Sequence, residues 1–172
     1  DGKGQKIMNP ETIIEVGENS YMEMDTAQIK GVDSTIRKTT AKLADHASLK
    51  VMERLMTHGN QKAESRFIVD MNGVDSGANI ISRSVARDDS YQLFQSVLNG
   101  NAKCSGHTEC DAIIVGNAKI SSIPEITANN SDAALIHEAA IGKIAGEQII
   151  KLMTLGLTEE EAEEQIISGF LK

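Results

Sequence analysis

Apolar and polar positions alternate in short runs over the first 140 or so residues of the chain. A period of two marks a strand with one face buried and the other in water. Such runs are Tyr21-Met22-Glu23-Met24, Ser48 to Leu55, Glu64 to Met71, Asn79 to Ala86, Gln92 to Leu98 and Asp111 to Val115. Between them stand Asn72-Gly73, Asp75-Ser76-Gly77 and Asn99-Gly100-Asn101, the residue types that turns require.

The spacing of the runs says more than any one of them. Runs centred near Met24, Lys50, Ile81, Asp111 and Ile136 form one series at intervals of about 25 to 30 residues. A second series, near Thr39, Phe67, Gln95 and Ile120, falls between them. Two strands per turn at a near-constant period suit a wound β-solenoid. A β-sandwich of short strands would show similar turn signals, so the pattern alone leaves both architectures open.

At about residue 141 the pattern changes. Ile144, Ile149, Ile150 and Met153 share one side of a predicted helix, and Gly156 closes it. A second helix opens at Thr158, followed by Glu159, Glu160 and Glu161. Thr158 and Glu161 have capping-box spacing, and the acidic first turn suits the positive end of the helix dipole. Ala162, Ile166, Ile167 and Phe170 supply its apolar stripe. The chain thus divides into a β core over residues 1–140 and a C-terminal helical segment over residues 141–172.

Composition sharpens this picture. Only 3% of the 172 residues are aromatic and none is Trp, so Ile, Leu, Val, Met and Ala must build the core. That suits a stack of thin, similar layers. A net charge of −8, with 25 acidic against 17 basic residues, argues against nucleic-acid binding. No apolar run approaches the roughly 20 residues that span a bilayer, so no membrane role is expected. No leader-like segment opens the chain, and a cytoplasmic location is the default. The two cysteines would pair only outside a reducing compartment.

Both cysteines lie in Cys104-Ser105-Gly106-His107-Thr108-Glu109-Cys110-Asp111. A thiolate is a soft metal ligand and a nucleophile that accepts sulfane sulfur. The C-x5-C spacing fits no standard structural zinc site, and Cys110 also reads as a small buried residue beside a strand. His137-Glu138 lies 27 residues beyond Cys110, one turn away if the period holds. Stacked rungs lie about 4.8 Å apart, so Cys110, His137 and Glu138 are expected to converge as a mixed thiolate, imidazole and carboxylate set acceptable to iron. The plainer reading is a strand-end His and Glu facing solvent. His46 and His58, among polar neighbours, read as surface residues.

No Gly-x-x-x-x-Gly-Lys-Ser/Thr, Gly-x-Ser-x-Gly or His-Glu-x-x-His occurs, and His137-Glu138-Ala139-Ala140 lacks the second histidine of a zincin. The chain is therefore not expected to be an enzyme.

The stretch from Thr108-Glu109-Cys110-Asp111 through Ile123-Pro124-Glu125 to His137-Glu138-Ala139 resembles the C-terminal part of SufB/SufD proteins. Gly156-Leu157-Thr158-Glu159-Glu160-Glu161-Ala162 and Ile167-Ser168-Gly169-Phe170 are similar to that family's helical end. The resemblance implies a right-handed parallel β-helix with a C-terminal pair of α-helices. It further implies an iron–sulfur cluster assembly scaffold that works with a SufC-type ABC ATPase docked on those helices. Cys110 then matches the family's cluster-associated cysteine, and His137 and Glu138 its His-Glu pair, the ligands of a transient iron–sulfur cluster. Where SufB-like members usually carry another Glu, this chain has Ile136. SufD-like members tend to keep the His without the Cys, so the set leans towards SufB. A SufB/SufD-like partner or a homodimer, paired through strand edges, is implied as well. The alternative is an interaction subunit that binds the ATPase and a partner chain without holding a cluster.

Overall fold

The computed structural model describes residues 4–29 and 31–172. Its strands are β1 (Ile7–Met8), β2 (Glu11–Val16), β3 (Tyr21–Gln28), β4 (Ser34–Leu43), β5 (Ser48–Thr57) and β6 (Lys62–Met71). There follow β7 (Ser76–Ala86), β8 (Tyr91–Gly100), β9 (Cys104–Ile114), β10 (Lys119–Ala128) and β11 (Ala134–Gly142). The chain then forms helices α1 (Gly146–Met153) and α2 (Glu159–Phe170).

From β3 onward, successive strands alternate between two sheets. One holds β1, β2, β4, β6, β8 and β10; the other runs β3-β5-β7-β9-β11. Tyr21 pairs with Ser48, Ser48 with Gly77, Gly77 with Ser105 and Ser105 with Ala134, all in parallel. Register partners on neighbouring coils are 27 to 29 residues apart in sequence. The result is a parallel β-solenoid of about five turns, the first of the two architectures that the periodicity left open.

Each coil turns two corners, and most of them are built from backbone that few residues tolerate. Asn19, His46 and Asp75 take equivalent left-handed positions, with φ between 54° and 55°, where one sheet hands over to the other. Gly31, Gly59, Asp88 and Gly116 do so at the opposite corner. Asn and Asp accept this region more readily than other residues with a Cβ, and Gly accepts it freely. His46 is thus an exposed turn residue. Along one flank, Asn101 Nδ2 donates to Asn72 Oδ1 and Asn129 Nδ2 to Asn101 Oδ1, each at 2.7 Å. This amide ladder ties the corners of successive coils together.

The core is a thin file between the sheets. Leu43, Leu49, Val51, Phe67, Val69, Met71, Ile80 and Leu98 are among its fully buried members. Phe67 and Phe94 pack with ring centroids 5.9 Å apart, the single aromatic pair among the described residues. Pro10 falls in the break between β1 and β2, and Pro124 in β10, which pairs only with β8. These are the outer positions of a sheet where a missing N–H does least harm.

The helical segment starts later than the apolar spacing suggested, because β11 continues to Gly142 and α1 begins at Gly146. The capping box is formed: Thr158 Oγ1 accepts from Glu161 N, and Glu161 Oε2 accepts from Thr158 N at 2.8 Å. Ala162 and Ile167 of α2 are buried, and Arg87 of the adjacent corner pairs with Glu163 at 2.9 Å and with Glu164. Helix α1 buries no residue, and Ile150 and Leu155 beside it stand out in solvent. Among the described residues no helix is long and apolar enough to cross a membrane.

Corner stacking makes one stability prediction. A Cβ on Gly73 would lie 2.0 Å from the Ala44 carbonyl carbon, whereas one on Gly59 would meet nothing within 4 Å. Gly73→Ala should cost about 3 kcal/mol or more, the upper end of overpacking. Gly59→Ala should cost only the left-handed strain of about 1–2 kcal/mol. Urea midpoints of the two variants check the difference.

Candidate functional site

The strand pair β9 and β11 carries Cys104, Cys110, His137 and Glu138, and strand parity decides which way each one faces. On β9 Cys104, Gly106, Thr108 and Cys110 are buried, while His107 and Glu109 are only half-buried. On β11 Leu135 and His137 turn inward, and Ile136 and Glu138 are exposed. Register then fixes the neighbours: His137 lies beside Thr108, Glu138 beside Glu109 and Ala139 beside Cys110.

Cys110 and His137 therefore share the interior, one coil apart and offset by two residues along the strand. Such diagonal neighbours are typically 7–8 Å apart. His137 Nδ1 is 2.7 Å from Thr108 Oγ1, which reaches across the interior to Ser96 Oγ at 3.3 Å. Burial, then the nearby His107, holds the His137 pKa below its ordinary value, so its imidazole is biased towards the neutral form that binds metals. Cys110 is 1% exposed, and burial pushes its thiol pKa up to about 11. The Ser122 hydroxyl opposite pulls weakly the other way without forming a hydrogen bond of ordinary geometry.

Glu138 is not part of this interior set. Adjacent residues of a strand point to opposite faces, so a His-Glu pair cannot place both side chains beside Cys110. The expected convergence of Cys110, His137 and Glu138 is corrected to Cys110 with His137 inside and Glu138 outside. Outside, Glu138 Oε2 lies 3.6 Å from His107 Nε2, and His107 Nδ1 lies 3.0 Å from Asn79 Oδ1 on β7. Cys104 and Cys110 are both free and buried. They stand six residues apart on one strand, roughly 20 Å, beyond the reach of a disulfide.

The residue patterns gave no warning of Glu53. It sits on the inward face of β5 in register with Ser82, which is in turn beside Cys110. Ser65 Oγ donates to it at 2.6 Å and Ser82 Oγ at 3.0 Å, with Arg37 Nε at 3.8 Å. The usable signal was a lone acid at an apolar position of the Leu49, Val51, Glu53, Leu55 alternation. A polar file thus runs through the interior towards Cys110.

The family model described as "SUF system FeS cluster assembly, SufBD core domain" matches residues 3–170. An iron–sulfur cluster assembly SufBD family protein of Pyrococcus horikoshii is 33% identical over 132 residues, 76% of this chain and 40% of the relative. One of Methanocaldococcus jannaschii is 30% identical over 170 residues, 98% of this chain and 54% of the relative. One of Methanothermobacter thermautotrophicus is 33% identical over 179 residues, 97% of this chain and 42% of the relative. The chain spans about half, or less, of the length of these relatives.

Burial, opposed by Ser65, Ser82 and Arg37, raises the Glu53 pKa above its ordinary 4.5. The folded protein thus holds a proton that the unfolded chain has released, and stability is lost as pH rises above that value. Glu53→Gln should remove this loss. The urea midpoint of the variant should exceed that of the parent by a margin that widens from pH 4.5 to pH 8, and a constant margin would show that Glu53 does not titrate in this way.

Proposed function

The chain belongs to the SufBD family of iron–sulfur cluster assembly proteins, and on that premise we propose that it is a scaffold subunit for nascent clusters. The observation that supports this reading is the shared interior of Cys110 and His137 at the last coil of the solenoid. Cys110 supplies a thiolate that takes sulfane sulfur or holds iron, and His137 supplies an imidazole one rung away. A full cluster needs more donors than these two. An incomplete set suits cargo that is held briefly and passed on.

The raised pKa of Cys110 adds a condition. At neutral pH the buried thiol is protonated, so Cys110 acts only when the covering coil moves and water reaches it. That coil consists of β10 and β11, whose side chains are mostly exposed and whose outer edges pair with no described strand. Free edges are where a further chain adds by strand pairing. In this reading a SufB/SufD-like subunit or a second copy docks there and contributes the remaining donors. A reducing compartment such as the cytoplasm keeps Cys110 and Cys104 as thiols.

The chain supplies ligands and a platform and catalyses no turnover itself, while a SufC-type ABC ATPase supplies ATP hydrolysis. The exposed apolar side chains of α1 and the turn after it, Ile150, Met153 and Leu155, fit the docking of that ATPase. Two observations favour the rival, an interaction subunit with no cluster: the burial of Cys110 and the outward turn of Glu138.

Anaerobic reconstitution separates the two readings. Cys110→Ser should lower retained acid-labile sulfide to background, and Cys104→Ser should leave it near the parent level. Sulfide at background already in the parent would leave only the interaction subunit, and sulfide retained equally in the parent and Cys110→Ser would overturn the role given to Cys110. For the helices, Ile150→Asp combined with Leu155→Asp should abolish co-elution with a SufC-type ATPase on size exclusion. The melting temperature should hardly change, since both side chains are already in water.

A further inference from the structure

We infer that the outer face of β9 and β11 is a second metal site, which binds a divalent transition-metal ion through His107, Glu109 and Glu138. One ligand atom from each of these three side chains lies within 4.8 Å of the others. The site is separate from Cys110. His107 and Glu109 flank Thr108 on β9 and point away from the interior that Thr108 and Cys110 share.

Three features favour a cation there. Glu109 and Glu138 are direct partners across the two strands, and Asp111 follows on the same face of β9. Like charges placed opposite one another destabilise a sheet unless a positive charge lies between them. The nearest built-in cation on this face, Arg83, is beside Asp111 rather than between the glutamates. His107 is also aimed from outside the triad, since its Nδ1 lies 3.0 Å from Asn79 Oδ1. An amide oxygen can only accept, so Nδ1 is the atom that donates to Asn79, and Nε2 is turned towards Glu138, 3.6 Å away. This is the outer support that metal-ligating histidines almost always have.

Access and chemistry agree. His107 and Asn79 line an open groove of about 440 Å³ with Tyr21, Lys50 and Ile136. The ammonium of Lys50 is held by Glu23 at 2.8 Å. One imidazole and two carboxylates suit ferrous iron, manganese, cobalt or zinc, and lack the sulfur that copper(I) prefers. All three ligands come from one side, so water completes the coordination and the ion exchanges easily. The choice of ferrous iron as the natural ion rests on the cluster-assembly reading; the site itself does not.

Cobalt(II) is the probe, titrated anaerobically into the full chain. The parent should bind about one ion per chain with no sulfur-to-metal charge-transfer band, as expected of oxygen and nitrogen donors. Cys110→Ser should bind equally well. His107→Ala and the near-isosteric Glu109→Gln should each weaken binding by at least about tenfold, and Asn79→Ala should weaken it less. Circular dichroism should show unchanged strand content in all of them. Affinity unchanged in His107→Ala and Glu109→Gln would overturn the inference, as would a charge-transfer band that vanishes in Cys110→Ser. The first result leaves the Cys110 reading untouched and the second would support it, so the two readings fail separately.

Discussion

The direction of every side chain in the solenoid is set by one constraint: the strict alternation of faces along a strand, carried from coil to coil by parallel pairing. The 27- to 29-residue spacing of register partners reflects how much chain each coil needs to return to the same place. The corners absorb the differences. Left-handed residues recur at Asn19, His46 and Asp75 and at Gly31, Gly59, Asp88 and Gly116, so each coil restarts its strands with the inward set still inward. A slip of one residue would turn a whole strand inside out and expose Leu, Val and Ile to water. Corner geometry and core burial therefore enforce the same register.

A core this narrow has a cost that a globular core avoids. No side chain is far from the opposite sheet, so any polar group turned inward must find its partner within one or two rungs. The structure meets most of this requirement with short local pairings, and leaves Thr26 Oγ1, Thr39 Oγ1, Gln92 Oε1 and Ser122 Oγ without a partner among the described residues. Ser65 and Ser82 bond Glu53, Gln92 Nε2 donates to Thr57 Oγ1 and to the Val85 carbonyl, and Thr108 links Ser96 to His137. An uncompensated polar group in such a space costs about 1–3 kcal/mol. The interior can therefore hold a reactive thiol and an imidazole without losing its packing, provided that hydroxyls accompany them.

Much of this was legible in the sequence because it is periodic. The alternation, the corner residues and the Thr158–Glu161 cap each follow from local rules, and each stands where the residues placed it. The choice of solenoid over sandwich was not local, since it depends on pairing across about 28 residues, which no short window contains. The site was legible in its residues but not in its geometry. Cys110 and His137 do share a face. The true register sets Ala139, not His137, beside Cys110, and parity sends Glu138 outward. That second point needed no coordinates, because consecutive residues of any strand part company. Glu53 and the outward partners of Glu138 were obscured by the lack of a motif, for they meet only through pairing.

The same parity gives β9 two chemistries. Its inward face offers sulfur in a dry, narrow space where the thiol is held protonated, and its outward face offers nitrogen and oxygen in water. Hard and borderline ions exchange readily among oxygen and imidazole ligands, whereas a thiolate binds iron tightly once it forms. In the proposed scaffold role, placing the two donor sets on opposite faces of one strand would keep an ion from being captured by sulfur before the interior opens. The backbone between them is a few ångströms thick, yet no side chain crosses it. In the proposed scaffold role, movement of the last coil, where β10 and β11 lie uncovered, would open the interior set to an ion arriving from outside. A binding partner at those edges would thus control when sulfur and metal meet.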